Sequence, residues 1–328
     1  MSLKIGPIHL DNPVILAPMA GVTDAPFRRL AQRFGAGLTV SEMIASKAMV
    51  RAHTKTLRMS SPLETAHPQA VQIVGCEPDV MADAARMNAD RGAGIIDINM
   101  GCPAKKIIRG EAGAALMKDE VLAGRIMESV VRSVAIPVTV KMRLGWDEGS
   151  INAPRLAKIA QESGVALVTV HGRTRSQFYG GQADWDRIGL VKRSVSIPVV
   201  ANGDVTTLDR ARAILDQSGA DGVMIGRASY GRPWFLGLVA HFLRTGERLQ
   251  EPSPLERLAI LQEHVEDMLD HYGEKAGVPI ARKHIAWYSR GLPGSAEFRS
   301  HLMRLSDPNE VRTRLLDFWK AAQDRMAA

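Results

Sequence analysis

From Val14 to Ala228 the chain repeats one alternation: a short, nearly uninterrupted apolar run, then a stretch whose apolar residues recur every three or four positions. The runs are VILAP (Val14–Pro18), LTVSE (Leu38–Glu42), AVQIVG (Ala70–Gly75) and GIIDINMG (Gly94–Gly101). PVTVKMR (Pro137–Arg143), LVTVHGR (Leu167–Arg173), PVVANGD (Pro198–Asp204) and GVMIGRA (Gly222–Ala228) follow. Apolar residues at consecutive rather than alternate positions predict strands buried on both faces. Between them, DVMADAARMNADRG and NAPRLAKIAQESG carry helical spacing and stop at glycine. Eight such strand–helix pairs predict an α/β fold, a closed (β/α)8 TIM barrel. The preceding KIGPIHL predicts a short hairpin closing the bottom of that barrel. A doubly wound open sheet is the alternative; it calls for a Gly-rich dinucleotide turn after the first strand, and APMAGVTD is not one.

Beyond Pro252 the strand signal stops. SPLERLAILQEHVEDMLDHYG and DPNEVRTRLLDFWKAAQDRM read as amphipathic helices, the first with a capping signal. The expected division is a catalytic barrel over residues 1–246 and a smaller all-helical domain over 247–328. Charge is segregated within the latter. Glu247 to Glu274 holds eight acidic residues against Arg248 and Arg257. Lys275 to Arg304 holds Lys275, Arg282, Lys283, Arg290, Arg299 and Arg304 against Glu297 alone.

Composition narrows the class. At 328 residues, 45% hydrophobic and 23% charged, the chain is globular rather than disordered. The opening MSLKIGPIHLDNP has no apolar signal region and no apolar segment is long enough to span a bilayer, so a cytoplasmic protein without membrane contact is expected. Cys76 and Cys102 have neither metal-pair nor disulfide-framework spacing. No metal and no obligate protein partner are expected, and a monomer is the default. A net charge of +7 makes an acidic partner plausible, nucleic acid first.

In such a barrel the chemistry sits at the C-terminal ends of the strands. Those ends read Pro18-Met19-Ala20, Glu42, Gln72, Asn99 with Cys102, Lys141 with Arg143, His171 with Arg173, Asn202-Gly203-Asp204, and Gly226-Arg227. Polar groups at the exits of apolar strands are costly unless a ligand or a network satisfies them. The glycine-rich turns after the last two strands suit a phosphate on backbone N–H groups. Lys141 suits negative charge on a ring system and Gln72 the edge of a heterocycle, a combination that fits flavin mononucleotide (FMN). Taken alone, Lys141 is equally open to a Schiff-base role. Cys76 reads as structural, and Trp185 and Trp287 read as core side chains before stacking platforms.

The ordered set APMAGVTDAPFR, VQIVG, DINMGCPAKK, VTVKMRLGWD, VTVHGRTRSQFYGGQADW, VVANGDV and GVMIGRA resembles the tRNA-dihydrouridine synthases over essentially the whole chain. NMGCPAKK and ARKHIAWYSRGLPG are most similar to the bacterial B subfamily. The resemblance implies an FMN-dependent oxidoreductase that reduces the C5–C6 bond of uridines in tRNA, in the D-loop, with NADPH or NADH as transient reductant. It implies FMN on Pro18, Met19, Ala20, Gln72 and Lys141, with His171 nearby and the phosphate on Asn202, Gly203, Asp204, Gly226 and Arg227. Cys102 is then the acid that protonates C5 after hydride reaches C6, and Asn99 and Arg143 place the uracil. A thiol suits that step because it is mostly protonated at neutral pH yet gives up its proton readily. Lys105, Lys106 and Arg109 are expected to point outward and meet the RNA backbone. Arg173 is a further substrate contact in this reading, and Arg282, Lys283 and Arg290 extend the contacts into the helical domain.

Overall fold

The computed structural model describes residues 2–60, 63 and 68–327. It divides into two compact units: Met1–Gly226 with Leu236–Arg248, and Arg227–Phe235 with Leu249–Ala328.

The first unit opens with the antiparallel hairpin β1 (Leu3–Ile5) and β2 (Ile8–Leu10). The strands that follow are β3 (Val14–Leu16), β4 (Leu38–Val40), β5 (Ile44–Ala45), β6 (Gln69–Val74) and β7 (Ile95–Met100). β8 (Val138–Arg143), β9 (Leu167–His171), β10 (Val199–Asn202) and β11 (Gly222–Ile225) complete the set. Parallel pairing runs β4-β3-β11-β10-β9-β8-β7-β6, and β6 returns to β4, so among the described residues eight strands close a ring with helices between them. This is the expected TIM barrel. β5 pairs with the upper half of β6, where β4 has already left it. The expected strand Leu38–Glu42 is shorter because Ser41 and Glu42 turn their side chains to other loops: Ser41 Oγ accepts from Gln72 N at 3.0 Å, and Glu42 Oε1 accepts from Gly21 N.

The barrel interior is layered. Ile15, Leu38, Val40, Ala70, Ile95, Leu167, Val200 and Met224 form an apolar floor, and the hairpin closes it with Leu3, Ile5 and Leu10. Side chains two residues further along a strand share the same face. That step replaces apolar residues with polar ones: Gln72, Asp97 and Thr139 lie side by side in register, all buried. The next step brings Asn99 beside Lys141, and one step further along β8 Arg143 pairs with His171, which pairs in turn with Asn202.

The second unit is helical: Pro254–Tyr272, Glu274–Tyr288, Ser295–Leu302 and Pro308–Ala327. Its first helix carries the capping box between Ser253 and Glu256 that the sequence signals. Stacked Phe298 and Phe318 rings, 4.0 Å between centroids, pack the third helix on the fourth. The chain enters this unit earlier than the single cut at residue 246 expected from the loss of strand pattern. Arg227–Phe235 joins it because Tyr230 stacks on Trp287 at 4.1 Å and Trp234 meets Tyr288 edge-on at 5.8 Å. Trp287 is therefore engaged by a ring of its own chain. Gly231 permits the approach. Its φ is +66°, and a Cβ there would lie 2.5 Å from the carbonyl carbon of Trp287.

Gly231→Ala combines a left-handed backbone with a backbone clash, so it should destabilise the helical unit by about 2–4 kcal/mol. Thermal melting followed by helical circular dichroism checks this; an unchanged transition would remove the close approach as a constraint.

Candidate active site

The site is assembled above the apolar floor, where the upper halves of several strands turn polar. Asp97 anchors it. Its two carboxylate oxygens accept from Thr139 Oγ1 at 2.6 Å and from Gln72 Nε2 at 2.7 Å. An amide that donates its nitrogen downward must offer its oxygen sideways, and Gln72 Oε1 accepts from Asn99 Nδ2 at 2.8 Å. Asn99 is turned in the same sense: its Oδ1 accepts from the backbone N–H of Cys102 at 3.0 Å and of Gly101 at 3.2 Å. Every donor in this chain points toward Asp97, so the carboxylate sets both amide orientations. Burial raises the Asp97 carboxyl above the ordinary carboxylate range, while its two hydrogen bonds and nearby Lys141 pull it back.

Cys102 is half-buried on the loop after β7. Four contacts fix that loop. Asn99 takes two of its N–H groups, Ala114 N donates to Cys102 O at 3.1 Å, and Arg143 Nε donates to Gly101 O at 2.8 Å. Gly113, at φ +62°, lies underneath, where a Cβ would come within 3.2 Å of Cys102 Cβ. Lys105, Lys106 and Arg109 follow on the outside and are exposed. Cys76 is apart from this loop, and burial pushes its thiol up.

Lys141 Nζ donates to Asn202 Oδ1 at 3.1 Å, and Asn202 Nδ2 donates on to Met224 O at 2.8 Å. Burial holds the Lys141 ammonium down to about 8, Arg143 pushes the same way, and Asp97 and Cys102 oppose it. A half-buried cation that donates to a neutral amide is suited to a ligand that brings negative charge.

Two arginines brace the loops. Arg143 is buried, and its NH1 donates to Thr174 O and Phe178 O, each at 2.8 Å. It thus ties the loop after β9 to the cysteine loop. Arg173 is also buried, and it pairs with Asp204 at 2.8 Å and donates to Gly180 O and Gly181 O. Arg173 NH1 lies 3.3 Å from His171 Nε2; a guanidinium only donates, which assigns the ring proton of His171 to Nδ1. The substrate roles expected for Arg143 and Arg173 thus fall on side chains that already hold carbonyls, a carboxylate and a histidine of the protein.

The turn after β10 is shaped by close packing. Gly203 has φ +127°, and a Cβ there would meet Ala183 Cβ at 2.7 Å and His171 Cδ2 at 3.1 Å. Asp204 follows at φ +59°, its carboxylate taken by Arg173 and by Ala183 N at 2.7 Å. Asp204 can therefore offer a ligand its backbone rather than its side chain. Trp185 Nε1 donates to Gly203 O at 3.1 Å, which gives this tryptophan a structural post behind the turn. A Cβ at Gly226 would lie 3.6 Å from both Ala17 Cβ and the Met19 sulfur, so the loops after β3 and β11 adjoin. Met19 N donates to Thr23 Oγ1 at 3.0 Å, which holds the Pro18-Met19-Ala20 turn. Arg227, next in the chain, begins the 3-10 turn Arg227–Ser229 of the second unit. In that unit Arg282 donates to Leu305 O, Lys283 is half-buried and Arg290 is exposed.

A family model described as dihydrouridine synthase matches residues 15–325. The chain belongs to that family. A probable tRNA-dihydrouridine synthase of Rickettsia conorii is 55% identical over 98% of each chain. The tRNA-dihydrouridine synthase B of Pseudomonas aeruginosa is 46% identical over 98% of this chain and 97% of its own. Among solved structures, morphinone reductase in complex with tetrahydroNAD shares the fold at a TM-score of 0.53 and 15% identity, over 78% of this chain and 93% of that one. The family assignment and the barrel agree with the sequence reading. Asp97 and Thr139 are the residues that reading missed. Their signal was present: both lie one inward step below Asn99 and Lys141 on the same strands.

The depressed Lys141 value carries a stability consequence with a definite sign. The unfolded amine binds its proton below about 10.5 and the folded one only below about 8, so stability from this group is lost as pH falls through that window and stays low beneath it. Lys141→Met should raise the melting temperature of the ligand-free protein at pH 7, by roughly 2–4 °C per kcal/mol of burial cost removed. The gain should shrink between pH 8 and 10.5. Scanning calorimetry across that range tests the sign.

Proposed function

We propose that this protein is an FMN-dependent tRNA-dihydrouridine synthase that reduces the C5–C6 bond of D-loop uridines, with NADPH or NADH as electron source. The observation that carries the reading is the seat of Cys102: a protonatable side chain fixed at a strand exit, one amide away from Gln72 and in the electrostatic range of half-buried Lys141.

The residues present fit FMN. Gln72 and Asn99 have fixed amide directions for a heterocycle edge, Lys141 can balance charge on the ring, and the turns at Gly203 and Gly226 carry no side chain that would cover their backbone N–H groups. Asn202, Gly203, Asp204 and Gly226 would hold the phosphate, joined by Arg227, and Pro18, Met19 and Ala20 would line the ring. When bound and reduced, the flavin supplies the hydride for C6 of the uracil.

The rest of the work falls to the chain. Cys102 Sγ holds a proton for C5 and delivers it as charge develops there. Asn99 keeps the thiol's loop in place and has a second amide hydrogen for a uracil carbonyl. His171, whose Nε2 faces Arg173 NH1, is left with Nδ1 as the ring nitrogen that can donate. Lys105, Lys106 and Arg109 face solvent where the backbone of a flipped-out uridine must pass.

Cys102→Ala should retain FMN and be reduced by NADPH at the normal rate, because that half-reaction needs no proton at C5. Its reoxidation by tRNA should slow by about two to four orders of magnitude, the size of a general-acid contribution. Normal reoxidation in stopped-flow absorbance at the flavin band would assign the proton elsewhere. In the helical unit, Lys283→Glu with Arg290→Glu should weaken tRNA binding and lower its log–log salt slope by about one to two units. Arg282 is left intact in that test because it holds Leu305 O. An unchanged slope would take the helical unit out of the RNA contact.

A further inference from the structure

Three loops of the barrel meet at a cluster that the reaction chemistry does not use. Trp146 lies on the loop after β8. The Arg175 guanidinium, from the loop after β9, sits over its ring at 4.4 Å, and Lys118 Nζ, beyond β7, at 4.8 Å. The other side of the Arg175 environment is Phe178, 5.2 Å from the guanidinium to its ring centroid. Arg175 is thus flanked by two aromatic rings, and its Nε is buried with no hydrogen-bond partner among the described residues.

The cluster is rigid. Arg175 N donates to Gly145 O and Ser176 N to Trp146 O, each at 2.9 Å, which zips the two loops together. Phe178 adopts φ +50°, a conformation costly for an aromatic residue, and Arg143 fixes its carbonyl at 2.8 Å. The same Arg143 holds Gly101 O beside Cys102. The cluster is therefore coupled through one side chain to the loop that carries the thiol.

Its two cations stand outside the ion pairs of the neighbouring acids. The nearby acids are occupied elsewhere: Asp119 caps Leu122 N, Glu120 takes Asn152 and Arg155, Asp147 accepts from Ser150, and Glu148 pairs with Arg187. Among the described residues no carboxylate pairs with Lys118 or Arg175. A guanidinium stacked between rings keeps its edge donors in a fixed plane, a geometry matched to the paired oxygens of a phosphate. A tryptophan supporting two cations brings positive charge to one place with little side-chain entropy left to lose on binding.

We propose that Lys118 and Arg175, supported on Trp146, form a phosphate-gripping ledge for the RNA strand on the cysteine side of the barrel mouth. This rests on the reading that the substrate is an RNA. A nucleotide drawn out of its stack needs its backbone held close to the reacting base. Through Arg143 the ledge and the thiol loop keep a fixed spacing, so that gripping the backbone also places the base over Cys102.

The test is tRNA binding by the FMN-loaded full chain over a salt series, comparing wild type with Lys118→Gln/Arg175→Gln and with Arg175→Lys. Each neutralised phosphate contributes roughly 0.7–0.9 to the log–log slope, so the double variant should lose about one to two units of slope while its FMN content and melting temperature match wild type. Arg175→Lys keeps the charge and loses the planar fork; it should hold the slope and bind about threefold to tenfold more weakly. A double variant with the wild-type slope overturns the ledge, as does weaker binding at unchanged slope, which would mark a packing role. Wild-type affinity in Arg175→Lys overturns the part assigned to the stacked fork. A wild type that binds tRNA yet yields no dihydrouridine overturns the functional reading instead, and the slope comparison still decides the ledge.

Discussion

The carboxylate of Asp97 governs the upper half of the barrel. A parallel barrel filled with apolar side chains has no reason to hold a ligand; one that turns polar midway must satisfy every group it buries. Asp97 resolves this by accepting from two neighbours in register, Gln72 and Thr139. An acceptor-only group forces its partners to donate. The two amides above it therefore have one low-energy orientation each, and the cysteine loop is suspended from the last of them. The direction of the whole network follows from one charge at its base.

The second constraint comes from the long loops. They must carry chemistry without losing position, and loops have few apolar contacts to fix them. Buried guanidinium groups supply the fixing. Arg143 gathers carbonyls from the loops after β7 and β9, and Arg173 joins the loop after β9 to that after β10. Five donors in a rigid plane can satisfy several carbonyls at once, which no lysine at these positions could do. The left-handed turn at Gly203 and Asp204 is held by the same contacts, since the Asp204 carboxylate is clamped between Arg173 and Ala183 N.

Much of this is legible in the sequence, for a physical reason. A strand buried on both faces must be continuously apolar, so its polar terminus stands out against it, and reading the eight exits found Gln72, Asn99, Cys102, Lys141, His171 and Asn202. What the sequence does not display is which partner a polar residue takes. Arg143, Arg173 and Asp204 read as ligand contacts because their type and place suit a polyanion, and only distances reveal that they are spent on the protein. Asp97 escaped notice for the opposite reason: inside an apolar run it lacks the exposed position that marks a functional residue. The segment Arg227–Phe235 joins the helical unit through ring stacking with Trp287 and Tyr288, far along the chain, and no local pattern encodes that pairing.

In the proposed reaction the lone thiol is the acid, and the charges around it bear on that role. The basic residues after Cys102 would draw its proton off if they crowded the sulfur. Lys105, Lys106 and Arg109 lie on the exposed side of a short helical turn. Lys141, whose ammonium is in the electrostatic range of Cys102, is itself held down by burial. The loop is held through its backbone, by Asn99, Ala114 and Arg143, and each of those contacts leaves the side chain untouched. The exposed basic residues are thus set apart from the contacts that hold the thiol loop, which come from Asn99, Ala114 and the Arg143 guanidinium. One face of the barrel therefore carries both exposed basic residues and a half-buried thiol.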